Sequence, residues 1–415
     1  MMDKYKRKYD TKWNFKDGSM KELVHGIHPY PAMMMPLIAR TMFEDYGKGD
    51  ETVFLDPYVG SGTTLVEAQY YGAKKAVGID LNPLAVLISK TKTEEIDLDD
   101  VDAKITEFHF YIETAQDAKA PDFTIRDSWF SEKTISELAK IRNFILNIED
   151  EGTVDFFKVA FSEVVRASSE TRNGEFKLYR MSKSSLSRFK PDAIEMFKSV
   201  IARNLQIFRD ADYPKNTDIE IHNESTMNVS QHEDLLGAID LIITSPPYGD
   251  SHTTVAYGQF SRLSNEWLGF KDAGTLDRML LGGTKVKDRR FGIQELDDAI
   301  NQIKLNDKSF NRERSWEVVS FYNDYEMSVE EVSKTVKLGG YVVYVVGNRR
   351  VRNVELPLDV ITYKMFEKHG FEHIITHVRD ILNKRMPSVA SPANTVGGQI
   401  PTMSHEYIVV MKKVR

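Results

Sequence analysis

The sequence predicts an α/β fold in which a mostly parallel sheet, covered by helices on both faces, is interrupted by a mainly helical insertion. Three observations predict it. Within residues 52–80 a β-rich run, a glycine-rich turn, a helix, a second short strand and an acidic residue follow in the order of one right-handed βαβ unit. The run Gly340-Tyr341-Val342-Val343-Tyr344-Val345-Val346 is almost wholly apolar, as a strand buried on both faces of a parallel sheet must be. Residues 94–218 instead carry the spacing of amphipathic helices.

After a basic leader, residues 32–46 read as a helix broken by Gly47 and Gly49. Within it Met33, Met34 and Met35 are expected to be core packing and not a ligand set. A strand at 52–55 runs into Asp56-Pro57-Tyr58-Val59-Gly60-Ser61-Gly62-Thr63-Thr64. A helix over 64–71 then ends at Gly72, a strand occupies 75–79, and Pro83 opens a helix towards 93. Residues 1–93 thus form the first part of the core. Helices near 100–113, 131–148, 153–165 and 191–209 make up the insertion, 94–218, which a polar basic loop breaks from 167 to 190. Strands at 219–222 and 238–243 resume the sheet. An irregular basic stretch is expected over 261–308, then a helix over 315–337 and strands at 340–346, 373–378 and 406–411, so that 219–415 completes the core.

The chain has 415 residues, 41% of them hydrophobic, enough for one large domain with insertions or for two domains. Its net charge of 55 − 62 = −7 confines any nucleic-acid surface to a local basic patch. Cysteine is absent, which excludes zinc fingers, disulfide scaffolds and iron–sulfur sites and suggests a cytoplasmic home. It also excludes methylation of a ring carbon through a cysteine adduct. The leader has no apolar core and no apolar stretch could span a bilayer, so no membrane contact is expected. No metal is implied.

The chemistry concentrates in two loops. Thr244-Ser245-Pro246-Pro247-Tyr248 ends a buried strand abruptly, since the prolines lack N–H donors. It presents a hydroxyl, carbonyls and an aromatic ring at the carboxyl edge of the sheet, a place to hold an amino group and stack a planar base. In the glycine turn, Thr63 stands where a P-loop needs lysine and Leu65 where a dinucleotide fingerprint needs a third glycine, so both readings weaken. Gly60 and Gly62 still allow a cofactor to approach the backbone, with Thr63 and Thr64 at a helix N-terminus that favours a carboxylate. Asp80 ends the second strand, where it could take two ribose hydroxyls, and Asp56 could accept from an amino group. An amino acid joined to a nucleoside fits that set: S-adenosylmethionine. An ordinary tight turn and a plain rigid loop are the bland alternatives.

Asp56–Thr64, the block Gly78-Ile79-Asp80-Leu81-Asn82-Pro83, and Thr244–Tyr248 together resemble the S-adenosylmethionine-dependent amino-methyltransferases of DNA. His28-Pro29-Tyr30-Pro31 and His405-Glu406-Tyr407-Ile408-Val409-Val410 resemble that family too. Tyr58 stands where the family usually has Phe. The resemblance implies a Rossmann-like methyltransferase core, a mostly parallel sheet with a terminal antiparallel strand. It also implies cofactor contacts from His28, Tyr30, Pro31, Asp56, Pro57, Tyr58, Gly60, Gly62, Thr63, Thr64, Asp80, Leu81 and Asn82, and a catalytic set of Ser245, Pro246, Pro247 and Tyr248. His28 rests mainly on that likeness; a capping or core histidine is its alternative. In the family, serine at the first position of the proline motif goes with N4 of cytosine, and Asp or Asn with N6 of adenine. Ser245 therefore points to cytosine in double-stranded DNA, with adenine, an RNA amino group or a catalytically silent binding module as alternatives. Flipping the base out of the duplex would let Tyr248 stack on it. The partner could be a separate restriction endonuclease chain.

Two basic stretches are candidate DNA surfaces. Residues 166–190 hold Arg166, Arg172, Lys177, Arg180, Lys183, Arg188 and Lys190 against Glu170 and Glu175, with Phe176, Tyr179 and Phe189 interleaved. Lys285, Lys287, Arg289 and Arg290 form the other, and Arg262 follows the proline loop. A solvated charged loop is the alternative for each.

Overall fold

A computed structural model describes residues 5–172, 174–251, 254–307, 313–381 and 403–415, with the backbone of 389–390 and 400–401. Residues 1–4 of the leader, Asn173 of the basic loop and Lys308 at the end of the second stretch lie outside the described residues. The core opens with β1 (Arg7–Tyr9), α1 (Pro36–Tyr46), β2 (Val53–Asp56), α2 (Thr63–Tyr71), β3 (Lys75–Ile79) and α3 (Pro83–Thr93). The insertion holds α4 (Leu98–Thr114), α5 (Arg126–Trp129), α6 (Glu132–Ile145), α7 (Glu151–Ser168), α8 (Lys183–Leu186) and α9 (Ala193–Asp210). Then come β4 (Asp218–His222), β5 (Ile239–Thr244), α10 (Tyr257–Leu268), α11 (Leu276–Met279), α12 (Gln294–Asp307), α13 (Arg314–Thr335) and β6 (Val336–Val346). The last elements are the hairpin β7 (Arg349–Val351) with β8 (Val354–Leu356), α14 (Leu358–Glu367), β9 (Phe371–Asp380), the short pair β10 (Val389–Ala390) and β11 (Ile400–Pro401), and β12 (His405–Lys413).

Eight strands form one sheet in the order β1-β9-β12-β6-β5-β2-β3-β4. Neighbours run parallel except around β12, which is antiparallel to both β6 and β9. The carboxyl ends of β2 to β6 therefore share one edge, and β12 alone brings its amino end there. From β2 the chain crosses to β3 and β4 on one side, then returns to β5 and β6 on the other. The switch point lies between β2 and β5, where open sheets of this kind bind ligands.

Local chemistry sets the boundaries. Gly72 ends α2 at φ +81°, its N–H reaching the carbonyls of Ala68 and Gln69. Asn82 caps α3 through Leu84 N, with Pro83 in the first turn. The insertion is not insulated from the core: Leu84 and Ile88 of α3, and Phe260, Leu263 and Trp267 of α10, share one buried cluster with Phe157, Phe161 and Val165 of α7. No helix among the described residues is long and apolar enough to cross a membrane.

The structure departs from the sequence reading chiefly in four places, besides short elements such as the β7–β8 hairpin. The first helix starts at Pro36, because Ala32 adopts a left-handed φ of +52°. The stretch 261–308 is not irregular: it includes most of α10, then α11 and α12, whose buried Leu296, Ala299, Ile300 and Ile303 recur at helical spacing between many charges. Helix α14 was not anticipated. Nor was β1, the basic leader paired with β9. Charge hid that strand, since its stability comes from a distant carboxylate. Asp359, fully buried on α14, accepts from Tyr5 Oη at 2.6 Å, Arg7 Nε at 2.8 Å and Asn348 Nδ2 at 3.0 Å.

Replacing Asp359 with alanine should therefore free β1 and lower stability by roughly 1.5–3 kcal/mol, the worth of hydrogen bonds to a charged group. Hydrogen exchange reads this at the amide of Thr376, which donates to Lys6 O at 2.8 Å. Unchanged protection there would refute the role of Asp359.

Candidate active site at the carboxyl edge of the sheet

A cleft of about 930 Å³, counting space open to solvent, lies at the switch point. Asp56 forms its floor. This carboxylate is buried and accepts from Tyr58 N at 3.0 Å, Thr64 Oγ1 at 2.5 Å and Thr244 Oγ1 at 2.5 Å. Burial pushes its pKa up to about 6, against the pull of the two threonine hydroxyls. The third strand end supplies Asp80. Its Oδ2 accepts from Gly60 N at 3.0 Å and its Oδ1 from Asn82 N at 2.8 Å, and burial again raises the carboxyl to about 6. Each oxygen keeps a lone pair for another donor.

The glycine turn is shaped by what packs on it. Gly60 and Gly62 sit at φ +53° and +78°, and a Cβ on Gly62 would come within 2.9 Å of Ser89. Ser89 Oγ in turn donates to Gly60 O at 2.8 Å. The cleft wall includes Pro57, Tyr58, Gly60, Thr63, Thr64 and Leu81, with Tyr30 and Pro31 from the segment before α1. Tyr30 stacks on Tyr257 at 6.2 Å between ring centres.

Five expected residues do not line the cleft: Gly62, Asn82, Pro246, His28 and Tyr248. Gly62 is packed on Ser89. Asn82 is buried as a hub: its Nδ2 donates to Tyr30 Oη at 2.9 Å and Ser261 Oγ at 2.6 Å. Pro246 is buried. His28 is corrected outright. It lies buried against α7, Nε2 at 3.0 Å from Ser162 Oγ, and burial drives its pKa down to about 3, so it is a neutral joint between the leader and the insertion. Conversely Met33 and Met34, expected in the core, line the cleft, while Met35 is buried.

On the other side of Asp56 stands the proline loop. Ser245 and Pro247 line the cleft. Ser245 Oγ donates to Val345 O at 3.2 Å and lies 3.2 Å from Tyr248 Oη. Tyr248 packs on Gly347 at the end of β6, not on the cleft wall, and its hydroxyl donates to Glu406 Oε1 at 3.2 Å. Beyond the loop, Arg349 pairs with Asp250 at 3.3 Å and occupies the space that a side chain on Gly249 would need. The remaining wall, Ser225–Met227 after β4, Tyr257 at the start of α10 and 279–281 at and beyond the end of α11, escaped the sequence reading. The carboxyl-edge rule applied to β4 could have found the first; the others are non-local.

The first basic stretch is held against α10, whose Tyr257 lines the cleft; no described residue of 166–190 or 285–290 lines the cleft itself. Arg166 is buried under Phe260, its guanidinium 4.3 Å from the ring centre, and donates to Phe260 O and Glu175 O. Leu178 N donates to Gln259 Oε1, so the loop 170–181 is pinned to α10. Arg172 pairs with Glu175 and Arg180 with Glu170, while Phe176, Tyr179 and Lys183 are exposed. Arg166 thus leaves the expected contact set. On the second stretch Lys285 and Lys287 lie 4.1 and 5.2 Å from the ring centre of Trp316, and Arg289 pairs with Glu326. Arg262 lies 3.8 Å from Glu266 on α10. His222, Glu224 and His232 bring potential metal ligands within 4.8 Å of one another; Glu224 and His232 already satisfy each other as a pair.

No family model matches the chain. Full-length relatives do. The type II methyltransferase M.MvaI of Kocuria varians is 35% identical over 425 aligned positions, covering 96% of this chain and 93% of its own. The chain belongs to the type II methyltransferase family. M.BsoBI of Geobacillus stearothermophilus, another type II methyltransferase, is 21% identical over 86% of this chain and 80% of its own. Among solved structures, the rRNA methyltransferase aviRa from Streptomyces viridochromogenes superposes with a TM-score of 0.33 and 9% identity, over 95% of this chain and 90% of its own.

The acids of this type II methyltransferase give its stability a pH signature. A carboxyl whose folded pKa is raised holds its proton where the unfolded chain has lost it. Its favourable contribution is full below about pH 3.8 and lost as pH rises through about 6. Asp80→Asn should flatten the fall in melting temperature between pH 4 and 6 in the ligand-free protein. A slope equal to that of the parent protein would count against the shift.

Proposed function

We propose that this type II methyltransferase methylates the exocyclic N4 of a cytosine within a specific site in double-stranded DNA. S-adenosylmethionine is the methyl donor, and when bound it supplies an electrophilic methyl group. The donor set of the cleft suits it. The two free lone pairs of Asp80 match the two hydroxyls of a ribose. Leu81 and Met227 offer apolar surface for a planar ring, and the N-terminus of α2 favours a carboxylate. Asp56, with three acceptor positions taken, keeps one for an amino group.

The observation that carries the reading is Ser245 on the cleft wall with its own hydrogen directed to Val345 O. Such a hydroxyl acts as an acceptor towards anything that enters. An exocyclic amino group is a poor nucleophile because its lone pair is delocalised into the ring. Acceptance of its hydrogens by Ser245 Oγ and the Pro246 carbonyl aims that lone pair along the line of attack, with positioning as the main catalytic effect. Serine, rather than Asp or Asn, at this position supports cytosine over adenine. A flipped base could stack on Tyr248, worth about 1–3 kcal/mol, only if its ring turned from Gly347 towards the cleft. The exposed cations and aromatics of the loop 170–181, pinned to α10, and of the stretch 285–289 suit phosphate and base contacts. Residues 94–218 then serve target recognition, and a separate restriction endonuclease chain could be the partner.

Incubation with labelled S-adenosylmethionine and duplex DNA, followed by digestion to nucleosides, tests the assignment. Label in N4-methylcytosine is expected; label in N6-methyladenine moves the target base, and unlabelled DNA defeats the enzyme reading. Ser245→Ala should slow methyl transfer at least tenfold while the donor's Kd stays within twofold, whereas Asp80→Ala should weaken donor binding itself. For DNA, Lys285→Ala and Lys287→Ala should each lower the slope of log K against log salt by about 1 if that residue contacts a phosphate.

A further inference from the structure

Antiparallel β12 places Glu406 at the functional edge, opposite Arg379 of β9 and just beyond the pairing of Tyr407 with Val346 of β6. There its Oε1 accepts from Tyr248 Oη at 3.2 Å, and Tyr248 Oη lies 3.2 Å from Ser245 Oγ. A hydroxyl on the cleft wall is thereby joined through one phenol to a carboxylate, across 161 positions of sequence. We propose that Glu406 is the final acceptor of the proton that the target amino group loses, reached through Ser245 and Tyr248. This rests on the reading of the cleft given above.

The proton count requires such an acceptor. An amino nitrogen that gains a methyl group through its lone pair carries a positive charge until one N–H bond breaks and leaves its electron pair on nitrogen. That proton passes to Ser245 Oγ, the serine hydrogen passes to Tyr248 Oη, and the tyrosine hydrogen passes to Glu406 Oε1. Ser245 and Tyr248 end neutral and the carboxylate ends protonated; no further reactant is needed. Ser245 Oγ has two acceptors for its hydrogen, Val345 O and Tyr248 Oη, so the relay needs only rotation of one hydroxyl. Glu406 touches neither base nor donor. It is a positioning residue that also holds the proton.

Its surroundings suit the task. Burial raises the Glu406 carboxyl above its ordinary range, which makes it a better base than an exposed glutamate. Arg379, its Nη1 3.4 Å from Oε2, pulls the other way and keeps the anion available. The other charged neighbours on these strands, His405 and Asp380, are paired with each other at 3.2 Å.

The test is single-turnover methyl transfer to duplex DNA from pH 5 to 9, with S-adenosylmethionine saturating so that titration at Asp80 does not enter. The wild-type rate should fall at acid pH as Glu406 takes its proton. Glu406→Gln preserves an acceptor for Tyr248 but cannot titrate. It should react 10- to 100-fold more slowly, with the acid limb gone and the donor's Kd unchanged. Tyr248→Phe, which keeps the ring and cuts the chain, should copy it. Glutamate-labelled protein should show by carbon-13 NMR one carboxyl titrating above the ordinary range that is missing from Glu406→Gln, without any turnover. A wild-type rate in Glu406→Gln, an acid limb that survives in it, or a parent protein with no acid limb overturns the inference. Failure of the parent protein to label DNA at any pH would instead sink the functional reading beneath it.

Discussion

The Asp56 carboxylate ties together three pieces of chain at the carboxyl edge of the sheet: the end of β2, the first turn of α2 through Thr64, and the end of β5 through Thr244. Burying a carboxylate is costly unless its lone pairs are used, and here three donors use them. The hydroxyls fix the strand ends relative to each other, so the glycine turn and the proline loop face one another across a cleft of set width. Without Asp56 the sheet would still form from its apolar strands. The two loops would lose the hydroxyl ties that Thr64 and Thr244 make to one carboxylate.

Most of the sheet was legible because its strands are short apolar runs punctuated by Gly, Pro and Asp, and each rests on residues adjacent in sequence. The glycine turn, Asp80 and the proline loop were legible for the same reason. What was not legible is held by distant partners. Strand β1 depends on Asp359, and the roles of His28 and Asn82 depend on Ser162 and Ser261. Both were read as cofactor contacts from the family resemblance, yet His28 turns Nε2 to Ser162 and Asn82 turns its amide to Tyr30 and Ser261. The stretch 261–308 was misread because its helices are charged on most faces and bury only a narrow apolar stripe.

Helix α10 joins the cleft to the basic loop of the insertion. It carries Tyr257 on the cleft wall, Gln259 and the Phe260 carbonyl to the basic loop, and Ser261 to Asn82. A rigid element of three turns thus bears on the donor side of the cleft and on the proposed DNA side at once. Arg166 clamps that arrangement from below, which explains why a cation in a basic stretch is buried.

Strand order has one more consequence, for synthesis of the chain. Strand β12 lies between β6 and β9, and β1 pairs only with β9. As the chain emerges residue by residue, β2 to β6 can assemble as a parallel sheet, but β9 has no seat until 405–413 have been made. Strand β1 is therefore made before β9 and β12 and docks only after both. A ribosome-bound chain that stops before β12 would possess the glycine turn and the proline loop yet lack Glu406, and would leave an open edge on β6. Newly made enzyme acquires its complete site in a single late step.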